Sequence, residues 1–201
     1  MCYNLGMKIE AMFKEKPFYT KSNLNDMGFS WYQIKKLVEG EILEKLNSHI
    51  YESKVYKNIV NDFNYVNAFI PDGVICKLSA ANYYGYTNFM PRSINVAIPS
   101  NKKINKLPEY PPIKLCYPKG NRYSSEIVEV NTKLDHFKIY SKEKTVCDIL
   151  INKTKIDAEE IKNVLIGYLN DKDRDLNKLY KLAEKLKCEK ILRTYMEVLL
   201  W

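Results

Sequence analysis

The sequence lacks the features of a membrane-bound or secreted protein. No apolar run reaches the roughly 18–20 residues needed to span a bilayer, and the opening MCYNLGMKIEAMF has no basic end followed by a long apolar run. The cysteines are scattered, include no CxxC pair, and number five: Cys2, Cys76, Cys116, Cys147 and Cys188. An odd, dispersed set indicates reduced thiols rather than a disulfide framework. We therefore expect a cytoplasmic protein without a membrane partner.

Signals for catalysis are also scarce. The only two histidines, His49 and His136, lie in different segments, so no zinc site is expected. There is no glycine-rich phosphate loop. Glu-x-Lys triplets, which occur in metal-dependent nucleases, begin at Glu52 and Glu160. The first follows a predicted strand pair and the second lies inside a predicted helix. Metal-dependent nucleases need carboxylates that converge at strand ends, so neither triplet indicates a nuclease. We predict that the protein is not an enzyme and needs no metal or cofactor.

What the chain does contain is ordinary composition with an uneven charge. Its 201 residues are 46% hydrophobic and 28% charged, enough for one or two domains with real cores. Residues 1–66 hold nine Lys against eight acidic residues, whereas residues 67–201 hold 23 basic and 16 acidic ones. The basic part either contacts phosphates or faces an acidic partner, unless its lysines are simply solvated.

The stretch from residue 18 to residue 51 carries the clearest helix boundaries. Thr20 suits a helix N-cap, and Gly28 suits a helix end because glycine adopts positive φ without a Cβ clash. Ser30, with Gln33 three residues later, fits a capping box for a second helix that ends at Gly40. Another helix is predicted before this stretch, over residues 3 to about 15.

The second helix and the residues after it predict a winged helix-turn-helix. Its apolar residues at helical spacing are expected to face the core: Trp31, Ile34, Leu37 and Val38. Residues 42–51 predict two short strands with a turn at Asn47-Ser48. This arrangement places the second helix in the major groove of DNA, so residues 1–66 are predicted to be a DNA-binding domain.

Residues 67–201 predict a second, α+β domain. A small-residue segment over 74–85 predicts a helix. Short apolar segments predict strands over 94–98, 113–117, 126–130 and 137–140. Amphipathic helices are predicted to start at 154 or 157 and end near 170, and to cover 175–186 and 189–200. The expected fold class is α+β, with an N-terminal winged helix-turn-helix followed by a small mixed sheet packed against C-terminal helices.

Several short motifs follow one another along nearly the whole chain. They are Tyr19-Thr20, 35–40, Leu43, Ile50-Tyr51, 73–75, Ser79-Ala80, Tyr84-Gly85, 96–99 and 140–148. The last, YSKEKTVCD, is the most distinctive and is close to a Glu-Arg-Thr-hydrophobic-x-Asp signature, with Lys144 in place of the Arg. In this order and spacing the chain resembles the AbiEi-type antitoxins of bacterial abortive-infection toxin–antitoxin pairs.

The resemblance implies a function in phage defence. It implies an N-terminal winged helix that represses the protein's own promoter by binding DNA repeats, and a C-terminal domain that neutralises a nucleotidyltransferase toxin encoded alongside. Direct contact between toxin and antitoxin is left open. Asn47-Ser48-His49 stands where relatives have a wing tip containing Gly and Arg, but Asn tolerates the left-handed turn conformation. The alternative is a winged-helix protein-interaction module that does not bind a specific DNA sequence.

The candidate DNA-binding residues follow from where each lies on the predicted elements. They are Lys21, Ser30, Tyr32, Gln33, Lys35, Lys36, Lys45, Ser48 and His49. The candidates for contacts with base edges are Tyr32, Gln33 and Lys36. The candidates for contacts with phosphates are Lys21 and Lys35 on the helices and Lys45, Ser48 and His49 on the wing. Gln33 is ambiguous because a capping side chain folds back on the backbone. Glu39 would repel phosphate, so we expect it to point away from the DNA.

Two further sets of residues are candidates in the second domain. Glu143, Lys144, Thr145 and Asp148 lie where a strand leads into a helix, and they form either a buried polar network or an antitoxin motif. A possible basic patch consists of Lys102, Lys103, Lys106, Lys114, Lys119 and Arg122. Its tyrosines, Tyr110, Tyr117 and Tyr123, are able to stack on bases, unless the whole stretch is an exposed loop.

Overall fold

A computed structural model describes residues 12–57, 59–104 and 106–199. The fold is α+β with two sheets, and the chain divides into two compact units. The first unit holds the described residues up to Pro71, together with Lys106–Pro111 and Asn131–Phe137, and the second unit holds the rest. The division therefore falls five residues beyond the predicted one, and two later segments return to the first unit. Most of the predicted first helix lies outside the described residues.

The first unit contains short helices and a three-stranded sheet. Its elements are β1 (Phe18–Thr20), α1 (Lys21–Asp26), α2 (Trp31–Glu39), β2 (Leu43–Lys45), β3 (Ile50–Ser53), a 3-10 turn (Lys54–Tyr56) and α3 (Asp62–Phe69). The strand order is β1-β3-β2, and both pairings are antiparallel. β1 was not predicted. It pairs with β3 through Phe18 opposite Glu52 and Thr20 opposite Ile50.

The helix boundaries of the first unit follow from side-chain capping. The Thr20 hydroxyl accepts a hydrogen bond from the Asn23 backbone N–H at 3.1 Å, and Ser30 caps α2 in the same way. Gly28 adopts a φ of 89° in the turn between the helices, a conformation that costs little without a Cβ. The predicted caps at Thr20 and Ser30 and the helix end at Gly28 are confirmed.

Helix α2 contributes fewer buried residues to the core of the first unit than predicted. Ile34 and Leu37 are buried and pack in a cluster with Phe13, Tyr19, Leu24, Leu43 and Tyr51. The prediction that Trp31 faces this core is wrong, because its side chain is 65% exposed. Trp31 is the first residue of α2, and Phe29 in the preceding turn packs against the cluster instead.

The second unit is built around a five-stranded sheet. Its elements are β4 (Val74–Ile75), α4 (Lys77–Tyr83), β5 (Ile94–Ala97), β6 (Ile113–Cys116), α5 (Asn121–Ser124), β7 (Ile127–Asn131), β8 (His136–Tyr140), α6 (Lys142–Ile151), a 3-10 turn (Lys153–Lys155), α7 (Ala158–Asn170), α8 (Leu176–Lys185) and α9 (Glu189–Leu199). The strand order is β6-β5-β4-β8-β7. β4 is antiparallel to β5 and parallel to β8, and β5 is parallel to β6, so the predicted mixed sheet is confirmed.

The helix predicted over residues 74–85 begins later than expected. Val74 and Ile75 form the central strand β4 instead, because they pair with β5 on one side and β8 on the other. Both side chains are fully buried, which suits β-branched residues in a central strand.

The main core of the second unit lies between helices. α6 contributes Val146, Cys147, Ile149 and Leu150, and it contacts α4, α7, α8 and α9. Gly167 in α7 allows that helix to approach Tyr86, since a Cβ there would lie 2.5 Å from the Tyr86 Cα. Among the helices described, none is both long and apolar enough to cross a bilayer.

Candidate functional site

The outward side of α2 is an exposed surface of aromatic and charged residues. Ile34 and Leu37 face the core, and the rest of the helix surface carries the exposed Trp31, Tyr32 and Lys36. The Tyr32 side chain is 59% exposed, and the Lys36 ammonium lies 4.8 Å from its ring centroid. Such a cation–π contact orients the lysine without neutralising it. The first turns of α2 therefore present two large rings and an available cation to an incoming molecule.

The capping residues of α2 are engaged with the backbone. The Ser30 N–H donates to Gln33 Oε1 at 2.8 Å, and the Gln33 N–H donates to Ser30 Oγ at 3.4 Å. Gln33 therefore retains only its side-chain NH₂ group for an outside partner. Of the predicted base-contacting residues, Tyr32 and Lys36 keep their full side chains available.

Glu39 lies beside Lys35 on α2. The two form an i,i+4 ion pair at 3.6 Å, and both side chains are more than half exposed. That Glu39 points away from the DNA stays a prediction; because residues four apart meet on one helix face, Glu39 shares a face with Lys35, a candidate phosphate contact. At this exposure the pair contributes at most about 1 kcal/mol to stability. It nevertheless reduces the positive charge that Lys35 offers.

The β2–β3 hairpin carries the predicted wing residues on its exposed parts. Asn47 Oδ1 accepts hydrogen bonds from the N–H groups of His49 at 2.7 Å and Ile50 at 2.8 Å, which confirms the predicted turn. Lys45, Ser48 and His49 are exposed. The Lys21 N–H donates to the His49 carbonyl at 2.8 Å, so the first turn of α1 is joined directly to the hairpin. The first unit thus holds all nine candidate DNA-binding residues on α1, α2 and the hairpin or beside them.

Lys144 and Asp148 form a buried ion pair at the start of α6. Lys144 is fully buried, bonds to Asp148, and places its ammonium 4.0 Å from the Tyr140 ring centroid. Burial raises the pKa of Asp148, and the Lys144 charge opposes that shift. The Ser141 hydroxyl caps the helix by accepting from the Lys144 N–H at 3.3 Å.

Glu143 and Thr145 complete this network. Glu143 accepts a hydrogen bond from the Tyr168 hydroxyl at 3.3 Å and pairs with Lys178 at 3.2 Å, which joins α6 to α7 and α8. The Thr145 hydroxyl donates to the Tyr140 carbonyl at 3.4 Å, which joins α6 to β8. These contacts favour the interpretation that the motif is a buried polar network.

A basic cleft of about 1210 Å³ lies in the second unit. Four of its cationic residues lie on the strand side: Arg92 just before β5, Lys114 on β6, Lys119 in the loop after β6 and Arg122 in α5. Four more lie at helix ends: Lys77, Lys155, Lys185 and Lys187. Asp148 is the single carboxylate among the described residues that line it. None of these eight cations lies within 4.0 Å of a carboxylate of the described chain.

Only half of the predicted basic patch belongs to this cleft. Lys114, Lys119 and Arg122 line it with Tyr117, whereas Lys102 pairs with Asp72. Lys103 is exposed and does not line the cleft, and Lys106 and Tyr110 belong to the first unit. The Tyr123 hydroxyl donates a hydrogen bond to the Asp72 carbonyl at 2.7 Å. Sequence reasoning missed the five other cations because they come from distant segments and follow no periodic pattern.

Two cysteines meet in the wall of the cleft. A hydrogen bond from the Cys76 thiol lowers the pKa of Cys116 to about 6, burial opposes this, and the charge of Lys77 adds to it. Burial raises the pKa of Cys76, which therefore stays a thiol and donates. Cys116 is partly exposed, and its lowered pKa makes it the more reactive of the two thiols.

No group of three or more His, Cys, Asp or Glu side chains is placed to hold a metal ion within residues 12–57, 59–104 and 106–199. Neither a protein-family model nor a curated protein matches the chain.

Proposed function

We propose that the protein is a cytoplasmic antitoxin and autorepressor whose first unit is a winged helix that binds double-stranded promoter DNA. The observation that carries the proposal is the free outward side of α2, where Tyr32 and Lys36 project from a helix anchored by Ile34 and Leu37. A helix of this kind fits the major groove when its inner side is fixed to a core.

The order of elements in the first unit supports this interpretation. β1 leads into α1 and α2, and the β2–β3 hairpin follows directly, with β1 paired to β3. That pairing closes a small sheet beside the two helices. In winged helices the same order presents the second helix and the hairpin to one duplex.

The candidate contacts divide into two kinds. Tyr32 and Lys36 are assigned to base edges, because they lie in the first turns of α2. Lys21, Lys35 and Lys45 are assigned to phosphates, together with Ser48 and His49 on the hairpin. Lys35 must first leave Glu39, which makes Glu39 a residue that weakens binding.

The test is a mobility-shift titration of the full chain on DNA from upstream of its own coding sequence. If about four to six phosphates are neutralised, the slope of log affinity against log salt is about −4 to −5. Lys35→Ala plus Lys36→Ala lowers the affinity and flattens the slope by about one, since of the two only Lys35 is assigned to a phosphate. Glu39→Gln strengthens binding because it frees Lys35.

Lys162→Ala plus Lys190→Ala is the matched control. It removes the same charge from exposed positions of α7 and α9 and should leave the affinity nearly unchanged. DNA binding that is absent, or that falls equally in both double variants, contradicts the proposal.

The antitoxin part rests on the resemblance carried by the segment from Tyr140 to Asp148. It is tested by co-expressing the full chain with the adjacent gene, which we expect to encode a nucleotidyltransferase that arrests growth. The full chain is needed because the second unit is interrupted by Lys106–Pro111 and Asn131–Phe137. Growth should be restored by the wild type and also by Lys35→Ala plus Lys36→Ala. Continued arrest with a well-expressed wild-type chain would contradict this part.

The alternative function is a winged-helix protein-interaction module. One observation favours it: Trp31 is 65% exposed beside Tyr32, and Glu39 offsets the charge of Lys35. Exposed aromatic residues are enriched at protein interfaces. If the alternative holds, the full chain does not shift the upstream DNA, whereas Trp31→Ala abolishes binding to the protein partner.

A further inference from the structure

We infer that the basic cleft of the second unit binds single-stranded nucleic acid, with phosphates on its cations and bases on two exposed aromatic rings. This inference is independent of the proposed function, which assigns duplex DNA to the first unit.

The charge of the cleft is the first reason. Eight cationic side chains surround it against one carboxylate, and that carboxylate, Asp148, is paired with the buried Lys144. Elsewhere in the second unit some lysines do have acidic partners: Lys142 lies 2.8 Å from Asp171 and Lys178 lies 2.6 Å from Glu126. Like charges gathered without partners repel one another, so the cleft favours a multiply charged anion.

Backbone conformation is the second reason. Lys77 and Lys187 both line the cleft with positive φ, 51° and 61° respectively, which is unfavourable for a residue with a side chain. Lys187 occupies the turn after α8, where its N–H donates to the Glu184 carbonyl at 3.0 Å and Cys188 donates to Ala183 at 2.8 Å. Glycine is the usual residue at this position of a helix end. Four described non-glycine residues have positive φ, and two of them line this cleft; the others are Glu41 and Glu126.

The aromatic residues and the size of the cleft indicate a strand rather than a small anion. Phe89 and Tyr117 line it with side chains 44% and 51% exposed. An aromatic ring can stack on an unpaired base, whereas in a duplex the neighbouring base pairs cover the faces of each base. Basic grooves lined by exposed aromatic rings commonly bind single-stranded nucleic acid. Its volume of about 1210 Å³ also exceeds the roughly 300–1,000 Å³ of typical small-molecule pockets.

The test is fluorescence anisotropy of the full chain with a labelled ten-nucleotide oligouridylate. Neutralising about three to five phosphates gives a slope of log affinity against log salt of about −2 to −3.5. Lys114→Ala plus Lys119→Ala should weaken binding and flatten that slope by about 1.4. Tyr117→Ala should weaken binding about five- to 150-fold through lost stacking.

Lys187→Gly separates binding from folding. Glycine relieves the left-handed conformation, so this variant should keep or raise the melting temperature while it weakens oligouridylate binding. Lys162→Ala plus Lys190→Ala is the charge-matched control outside the cleft and should bind as the wild type does. Lys35→Ala plus Lys36→Ala should also bind as the wild type does, so lost duplex binding with retained oligouridylate binding would overturn only the proposed function.

Four results would overturn the inference. The first is no oligouridylate binding. The second is an equal loss of affinity in the cleft variants and the charge-matched control. The third is displacement of the labelled strand by polyglutamate or by a ten-base-pair duplex as effectively as by unlabelled oligouridylate. Displacement by polyglutamate would show that the cleft recognises charge alone, and displacement by the duplex would show that it binds double-stranded nucleic acid. The fourth is displacement by ATP or inorganic phosphate as effectively as by unlabelled oligouridylate, which would assign the cleft to a free phosphorylated molecule.

Discussion

Replacing Lys144 by Met should destabilise the second unit strongly. Lys144 is 0% exposed and Asp148 is 8% exposed, so the substitution leaves a carboxylate without its partner in the interior. Met retains most of the aliphatic packing of the lysine but loses the cation–π contact with the Tyr140 ring. Removing one partner of a buried ion pair costs about 3–5 kcal/mol, so we expect a loss of that size at neutral pH.

The loss should depend on pH in a fixed direction. Burial already raises the pKa of Asp148 in the wild type, and the Lys144 charge opposes the rise. Without Lys144 the folded-state pKa rises further above the unfolded value of about 3.9. Protonated Asp148 then stabilises the folded variant at low pH, and this contribution is lost as pH rises through the folded-state pKa. The deficit relative to the wild type should be larger at pH 8 than at pH 5.

The assay is urea denaturation followed by circular dichroism at both pH values. Amide hydrogen exchange of α6 reports the second unit separately from the first. Lys144→Met plus Asp148→Asn removes both charges and should recover part of the loss. Lys35→Met is the control, because Lys35 and Glu39 have the same spacing but side chains 57% and 61% exposed, and it should cost at most about 1 kcal/mol.

The reasoning would be refuted by a Lys144→Met variant within about 1 kcal/mol of the wild type at both pH values. A double variant less stable than the single one would refute it equally, because the unpaired charge would then not be the cause of the loss.

Two further predictions concern packing and thiol chemistry. Gly167→Ala should lower the melting temperature measured by calorimetry. Alanine favours the helix over glycine by up to about 1 kcal/mol. Its Cβ, however, would lie 2.5 Å from the Tyr86 Cα and 2.7 Å from the Tyr86 carbonyl oxygen, and such overpacking costs about 1–3 kcal/mol. An unchanged or higher melting temperature would contradict this. Alkylation of Cys116 by iodoacetamide, followed by peptide mapping, should rise with pH and reach half its maximal rate near the thiol pKa of about 6. A midpoint near the ordinary value of about 8.5 would contradict it.

The parts of the fold that depend on local chemistry were predictable from sequence. The caps at Thr20 and Ser30 and the turn at Asn47 each satisfy backbone groups within three residues, so neighbouring residues suffice to identify them. The ion pair of Lys144 and Asp148 was predictable for the same reason, since helical spacing alone brings them together.

Features that depend on distant segments were not predictable. Trp31 has the spacing of a core residue, yet whether a helix end reaches the core depends on what else fills it, and here Phe29 does. The strand β4 has two residues, too few for a periodic signal, and its identity comes from pairing with β5 and β8. The cations of the cleft come from positions between Lys77 and Lys187 in the sequence. The composition therefore showed that the second domain is basic, but it did not show where the cations meet.

The two candidate surfaces hold their cations in different ways, and this bears on what each can bind. On α2, Lys35 is paired with Glu39 and Lys36 lies against Tyr32, so a bound duplex must compete with contacts that already exist. In the cleft no cation lies within 4.0 Å of a described carboxylate, so a phosphate group does not have to break an ion pair. Binding by α2 should therefore depend on shape and on contacts to its aromatic rings as well as on charge. Binding in the cleft should depend on the number of phosphates presented and on unpaired bases that stack on Phe89 and Tyr117. The two sets of residues do not overlap, so substitutions on one surface are expected to leave the other unaffected.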